Sequence, residues 1–205
     1  MKQATAIEDA PALEPKDIFD VEALYREHVL STPRETEARQ GYFHPSAIGA
    51  CARRNVYEFT RADVGGGHEF EDQETYDMGH AVHDIVQTKL EKAAPMMRAR
   101  GWAYTFIREI PFDKTTDLLF LDYGLGGTTD GVLEVTSPDG VSQRILVEIK
   151  SINQDNFDKL KAAKPDHIEQ AMIYAKRFDC PIICVLYYNK NKSKMKVYYH
   201  AFSQD

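Results

Sequence analysis

The chain has 205 residues, of which 43% are hydrophobic, and its formal net charge is −7. This size and composition suit one soluble domain, which buries about 70% of its unfolded surface and needs no disulfide to fold. No apolar run approaches the roughly 20 residues that cross a bilayer, and the first residues follow neither a secretory nor a transit pattern. Three cysteines cannot all pair with one another. We therefore expect a cytoplasmic protein that makes no membrane contact.

Charge is distributed unevenly along the chain. Residues 1–140 carry a net charge of −11 and residues 141–205 a net charge of +4. The total argues against a protein that coats nucleic acid, but the basic second part can still bind an anion locally. A solvated acidic surface is the simpler interpretation of the first part.

The predicted elements begin with an arm and three helices. Residues 1–16 carry alanine, proline and acidic residues without apolar periodicity, which predicts a flexible acidic arm. Apolar spacing and N-cap residues, Asp17 for the first helix and Ser46 for the second, predict helices over three ranges: 17–30, 46–60 and 70–93. Gly65, Gly66 and Gly67 form a break before the third helix.

Strands dominate the rest of the chain. Aromatic and β-branched residues predict strands over six ranges: 102–112, 118–123, 128–135, 144–151, 182–188 and 194–202. A turn signal at 137–140 joins the third and fourth strands as a hairpin. Between the fourth and fifth strands a short helix over 155–163 and an amphipathic helix over 166–178 permit a parallel crossover. We expect a single α/β domain over 17–205, with a helical portion at 17–95 and a mixed central sheet, flanked by helices, at 100–205.

Two acidic residues and a lysine lie in the two strands of the predicted hairpin. Asp130 lies in one strand, and Glu148 and Lys150 lie two residues apart in the next. Side chains two apart on a strand project from the same face, so Glu148 and Lys150 lie together with Ile149 buried opposite. Pairing of the two strands brings Asp130 beside them.

Two carboxylates and a backbone carbonyl form a hard oxygen site that suits Mg²⁺ or Mn²⁺. Such an ion activates a water and offsets charge on a phosphate, and a nearby lysine can donate to that phosphate or position the water. Taken alone, the pattern of acid, apolar residue and lysine also occurs on many exposed strands that have no chemistry.

Three further motifs accompany this pattern in order along the chain. Ser46 precedes the run Cys51-Ala52-Arg53-Arg54, a helix carries Gly79 and His83 four residues apart, and another carries Gln170 and Tyr174 four residues apart. Together with Asp130, Glu148 and Lys150, these motifs resemble the PD-(D/E)XK nuclease superfamily. The branch they resemble is that of the RecB-like exonucleases, which includes the nuclease domains of AddB and of CRISPR-associated nucleases. The resemblance spans residues 46–200 and implies a restriction-endonuclease-like fold.

The resemblance also implies roles for individual residues. The implied metal ligands, for one or two Mg²⁺ or Mn²⁺ ions, are His83, Asp130, Glu148 and the backbone carbonyl of Ile149. Lys150 is the implied catalytic lysine. DNA contacts are implied for Gln170, Tyr174, Arg53, Arg54 and Ser46, although the two arginines fit helix surface charges equally well. Glu109 is a further candidate for a site role or a strand-edge charge, and His80 is the rival of His83.

Some relatives in this branch hold an iron–sulfur cluster on four cysteines. This chain has three, and Cys180 and Cys184 are four residues apart on a predicted strand, about 13 Å apart at ~3.3 Å per residue. We therefore expect no iron–sulfur cluster and interpret Cys180 and Cys184 as core residues.

The resemblance implies a metal-dependent DNA exonuclease that acts in DNA processing, recombination or repair in a bacterium or phage-infected host. The expected partner is DNA, as single strands or duplex ends, with a recombinase or single-strand-binding protein as a further candidate. Two alternatives remain open: a structure-specific endonuclease, and a non-catalytic DNA-binding subunit that retains the fold.

Overall fold

The structure is a computed structural model, and it describes residues 20–31, 41–60 and 69–203. The predicted arm over 1–16 and the break at 65–67 lie outside these residues. Seven α-helices are described: α1 (Val21–Ser31), α2 (Ala52–Thr60), α3 (Phe70–Lys92), α4 (Ala94–Ala99), α5 (Leu118–Tyr123), α6 (Gln154–Lys159) and α7 (Pro165–Arg177). A short 3₁₀ turn, Pro45–Ala47, precedes α2. None of the described helices combines the length and the apolar character that crossing a bilayer requires.

Five strands of the described residues form one mixed sheet: β1 (Ala103–Pro111), β2 (Thr128–Thr136), β3 (Ser142–Ile152), β4 (Ile182–Asn189) and β5 (Lys194–Ala201). Their spatial order is β1-β2-β3-β4-β5. Strands β1, β2 and β3 pair antiparallel, β3 and β4 pair parallel, and β4 and β5 pair antiparallel. Helices α6 and α7 form the crossover between the parallel strands. The mixed α/β sheet flanked by helices, the hairpin and the crossover are thus as predicted, and the arrangement is consistent with a restriction-endonuclease-like fold.

Within the described part of the chain, two apolar cores lie on the two faces of the sheet. Alternate residues of β3 point in opposite directions, so Leu146 belongs to the core beneath α7 while Val147 and Ile149 belong to the core beneath α3. Helix α3 contributes Val82 and Val86 to the second core. This alternation fixes which face of the sheet receives Glu148 and Lys150.

One predicted strand is wrong. Residues 118–123 form helix α5, because the carboxylate of Asp117 accepts a hydrogen bond from the amide of Leu119 at 3.1 Å and caps the first turn. Gly124 ends the helix in the left-handed region at φ 63°. Arg177 of α7 also binds the buried Asp117 carboxylate, which ties this short helix to the core.

Helix ends differ from the prediction elsewhere. The helix predicted to begin at Ser46 begins at Ala52, since Gly49 at φ 78° interrupts the turn that contains Ser46. Asp20 caps α1 through the amide of Ala23, and Asp17 lies outside the described residues. Helix α6 ends at Lys159, earlier than predicted, and α4 was not predicted at all.

The segment before α2 is fixed to the loop that leads into β2. Phe43 forms an isolated bridge with Leu125. A Cβ atom on Gly126 would lie 2.5 Å from the ring of Tyr42, so only glycine permits this approach. The contact places the turn Pro45–Ala47 beside the start of β2 and against α7.

Candidate active site

Strands β2 and β3 separate at Asp130. Their pairing ends at Gly131 opposite Val147, and beyond it the carboxylate of Asp130 replaces a backbone carbonyl by accepting a hydrogen bond from the amide of Ile149 at 2.6 Å. The backbone carbonyl of Asp130 accepts a hydrogen bond from Nε2 of Gln87 at 2.9 Å. Asp130 is therefore held at both its backbone and its side chain where the hairpin opens.

Glu148 and Lys150 form an ion pair at this opening. Nζ of Lys150 lies 2.7 Å from Oε1 of Glu148 and donates a second hydrogen bond, at 2.8 Å, to Oε1 of Gln170 on α7. The two partners fix the ammonium group between β3 and α7. The sequence prediction that Glu148 and Lys150 share a face is confirmed, and Gln170 joins them.

The side chain of Glu148 is 2% exposed, and its Oε2 atom has no hydrogen-bond partner among the described residues. Burial, and then the charge of Asp130, raise the pKa of Glu148 to about 7, although Lys150 acts in the opposite direction. A buried carboxylate oxygen without a partner is costly, because it has lost its water without gaining a donor.

His83 of α3 lies on the other side of Asp130. Its Nδ1 atom is 3.1 Å from Oδ1 of Asp130. Burial alone would lower the pKa of His83, but the hydrogen bond with Asp130 and the charges of Asp130 and Glu148 outweigh it and raise the pKa above its ordinary value. The structure thus brings His83 to the opening together with the two predicted carboxylates.

The chemistry of this donor set fits a hard divalent cation. The charge of Asp130 raises the pKa of the Glu148 carboxyl, Oε2 of Glu148 is buried without a partner, and a cation would relieve both effects. Over the part of the chain that the structure describes, no group of three or more histidine, cysteine, aspartate or glutamate side chains is arranged to hold a metal ion. His83 in particular is committed to Asp130 through Nδ1, so its role as a ligand stays a prediction.

Helix α7 lies over the opening. The side chain of Tyr174 is buried, and its ring packs edge-on against Phe112 in the core beneath α7. A Cβ atom on Gly127 would come within 2.6 Å of the Tyr174 hydroxyl, so these two residues are in close contact. Gln170 thus faces Lys150, whereas Tyr174 supports the loop that leads into β2.

The other predicted site residues are more dispersed. Ser46 is exposed on the 3₁₀ turn beside α7, and Arg53 and Arg54 are exposed on α2. Arg54 forms an ion pair with Glu58 at 2.8 Å. Glu109 is exposed on β1 with φ at 51°. Their predicted roles are untested by this arrangement.

His80 and the three cysteines lie away from the opening. His80 is exposed one turn before His83, with the two rings 6.5 Å apart. Cys51 is exposed, and Cys180 and Cys184 are buried in different cores, as expected for core residues.

Sequence reasoning missed two residues near the site. Gln87 is 1% exposed and holds the backbone of Asp130. His167 lies in the first turn of α7 and is in hydrogen-bond contact with the buried Tyr187. A glutamine four residues after His83 on the same helix face was a signal for the first, and a histidine three residues before Gln170 was a signal for the second.

No protein-family model and no curated protein matches the chain. Among solved structures, the chain is similar to an alkaline exonuclease (LHK-Exo) from Laribacter hongkongensis, alone and in complex with dAMP. Each comparison has 17% identity and a TM-score of 0.45 over 81% of this chain and 80% of the other. It is also similar to the crystal structure of SSO0001, with 17% identity and a TM-score of 0.44 over 89% of this chain and 76% of the other. Similarity at this level assigns no activity to the chain.

Proposed function

We propose that the protein is a Mg²⁺- or Mn²⁺-dependent deoxyribonuclease, and specifically an exonuclease of the RecB-like type that hydrolyses phosphodiester bonds. The observation that carries the proposal is the buried Glu148 carboxylate, which lies beside Asp130 and is paired with Lys150 where β2 and β3 separate. A buried carboxylate oxygen without a partner, such as Oε2 of Glu148, destabilises the fold and is not expected in a purely structural ion pair. Such an oxygen is expected in a site that binds a cation, because the cation supplies the missing partner.

Asp130 and Glu148 would hold the ion, with the Ile149 carbonyl and His83 as further proposed ligands. When bound, the ion supplies charge compensation at the scissile phosphate and an activated water. The chain's own residues do the rest: the amide of Ile149 orients the Asp130 carboxylate, and Gln87 holds the backbone behind it.

Lys150 lies where it could donate a hydrogen bond to a phosphate oxygen or to the attacking water. Its ammonium is held by Glu148 and Gln170, and its side chain is 20% exposed, so a proton remains available toward solvent. A preoriented cation of this kind stabilises charge that develops on a phosphate oxygen without reorganising during the reaction. Gln170 positions Lys150 and is the proposed contact to the DNA backbone.

Matched DNA substrates test the proposal directly. Linear single strands, linear duplexes labelled at one end and a covalently closed circle of the same sequence are incubated with the protein in Mn²⁺, and EDTA serves as the control. An exonuclease degrades the linear DNA and leaves the circle intact, whereas an endonuclease also opens the circle. Binding to linear DNA without any Mn²⁺-dependent product would instead identify a non-catalytic DNA-binding subunit and contradict the proposal.

A further inference from the structure

His167 lies on the same face of α7 as Gln170. The two residues are three apart in the helix, so their side chains are neighbours. Gln170 binds Lys150, and the Lys150 charge also acts on His167. His167 is therefore part of the surroundings of Lys150, although it contacts neither Asp130 nor Glu148 in any described hydrogen bond.

A buried hydroxyl fixes one side of the His167 ring. Nδ1 of His167 lies 2.8 Å from the hydroxyl of Tyr187, and that hydroxyl accepts a hydrogen bond from the amide of Lys164 at 2.9 Å. Tyr187 is 0% exposed, so its hydroxyl hydrogen requires an acceptor inside the protein. Nδ1 of His167 is the acceptor within reach among the described residues.

This arrangement determines the tautomer. An imidazole that accepts at Nδ1 is neutral and carries its hydrogen on Nε2. Burial, and then the charges of Lys150 and Lys164, lower the pKa of His167 to about 4, with Asp166 acting in the opposite direction. The His167 ring is neutral at physiological pH because Nδ1 accepts a hydrogen bond and because its pKa is lowered.

The hydrogen on Nε2 points away from the anchored side of the ring. Nε2 lies 3.8 Å from a carboxylate oxygen of Asp166, which is beyond hydrogen-bond distance. The side chain of His167 is 18% exposed and that of Asp166 is 56% exposed. The outer edge of the ring is thus a rigid neutral donor at the protein surface, close to Lys150.

We propose that the Nε2 hydrogen of His167 donates to a backbone phosphate oxygen of bound DNA, adjacent to the phosphate that Lys150 addresses. This inference rests on the proposed function, and it adds a substrate contact that the metal site does not require. A neutral donor held by Tyr187 gives an orienting hydrogen bond but releases no counterion, unlike a lysine or arginine.

Two amide substitutions separate this role from a structural one. In His167→Asn the short amide reaches the Tyr187 hydroxyl but not the outer position of Nε2, and in His167→Gln the longer amide reaches the outer position. A substrate contact therefore predicts weaker DNA binding for His167→Asn and recovery in His167→Gln. A role confined to anchoring Tyr187 predicts the opposite order. His200→Gln, in a partly buried histidine of β5, is the matched control.

The experiment measures fluorescence anisotropy of a labelled single-stranded oligonucleotide with wild type and variants, in Ca²⁺ at several salt concentrations. We expect about five-fold weaker binding for His167→Asn and binding within about two-fold of wild type for His167→Gln and His200→Gln. The slope of log affinity against log salt should be the same in all four proteins, because the donor is uncharged.

Three results would overturn the inference. The first is wild-type affinity in His167→Asn, the second is a reversed order of the two amide variants, and the third is a shallower salt slope in His167→Asn. Each of these leaves the nuclease proposal intact, since wild type still binds DNA. Failure of wild type to bind the oligonucleotide would overturn the inference together with the proposed function.

Discussion

Strands β2 and β3 carry two acid–base pairs at opposite ends of one hairpin. Glu134 and Arg144 face each other across the ladder at 3.4 Å, with side chains 45% and 42% exposed. Glu148 and Lys150 lie 2.7 Å apart where the ladder has ended, with side chains 2% and 20% exposed. The residue types are alike, and their surroundings are not.

The difference is one of solvation. An exposed pair such as Glu134 and Arg144 is screened by water and contributes about 0–1 kcal/mol to stability. A buried pair must offset the loss of hydration of both groups, and an apolar replacement is often at least as stable. The burial of Glu148 therefore has no clear benefit for stability, which points to chemistry as the reason for it.

The largest expected effect follows from removing a carboxylate at the buried end. Asp130→Ala should lower the rate of DNA cleavage by about 10³-fold or more, because it removes a proposed ligand and frees the amide of Ile149. Gel analysis of an end-labelled strand in Mg²⁺ measures this rate. The matched variant Glu134→Ala, on the same strand, should cleave at the wild-type rate. Wild-type-like cleavage by Asp130→Ala would exclude the proposed site.

The pH dependence of stability without metal should also differ between the buried end of the hairpin, at Glu148, and the exposed end, at Glu134. The pKa of Glu148 is about 7 in the folded protein and 4.5 as the ordinary value, so the folded state holds the proton more tightly than the unfolded state. Glu148 by itself should therefore lower the free energy of unfolding in EDTA between pH 4.5 and about 7, by up to about 3 kcal/mol, while His167, with its pKa lowered to about 4, acts in the opposite direction.

The free energy of unfolding of wild type minus that of Glu148→Gln should therefore fall across this pH range, because His167 titrates alike in both proteins, and Glu134→Gln should follow wild type. Urea unfolding at several pH values between 4.5 and 7 measures the difference from wild type. Parallel pH profiles of the free energy of unfolding for wild type and Glu148→Gln would contradict the burial of the Glu148 carboxyl.

Substitution of the lysine separates binding from catalysis. Lys150→Ala should retain Mn²⁺ binding, because lysine is not a ligand, and should lose about 10²-fold in turnover through the missing donor. Isothermal titration with Mn²⁺ and the cleavage assay report the two properties. Arg144→Ala, the basic residue at the exposed end, should change neither. Abolished Mn²⁺ binding in Lys150→Ala would contradict the role assigned to Lys150.

The smallest effect is expected from Gln170. Gln170→Ala leaves the carboxylates in place but releases Lys150 from α7, so cleavage should fall about ten-fold through positioning. Mn²⁺ affinity should stay at the wild-type value. A loss of Mn²⁺ affinity equal to the loss of rate would show that Gln170 acts on the metal site and not on Lys150.

The buried end of the hairpin was largely predictable from the sequence. Period-two spacing assigned Glu148 and Lys150 to one face, and the turn at 137–140 placed Asp130 on the adjacent strand. The separation of the strands at Asp130 was not predictable, because it depends on a side chain that replaces a backbone acceptor. The burial of Glu148 could not be predicted from the sequence either, since it depends on α7 crossing over the strand.

Local ambiguity explains the main error in the fold. The run Leu118–Tyr123 is apolar and only six residues long, and such runs fit a strand or a buried helix equally well. Capping by Asp117 and Gly124 decides in favour of the helix, and the Asp117 cap is held in turn by Arg177, 60 residues away. His167 was missed for a related reason, because its anchor Tyr187 belongs to a different element.

The most direct test of the role proposed for Glu148 compares the two glutamates of the hairpin in one assay. Release of nucleotides from an end-labelled linear duplex in Mn²⁺ is measured for wild type, Glu148→Gln and Glu134→Gln, with equal folding verified by circular dichroism. We predict Mn²⁺-dependent release by wild type and Glu134→Gln and at least about 10³-fold slower release by Glu148→Gln. Equal release by all three proteins, or no release by wild type, would contradict the proposed role.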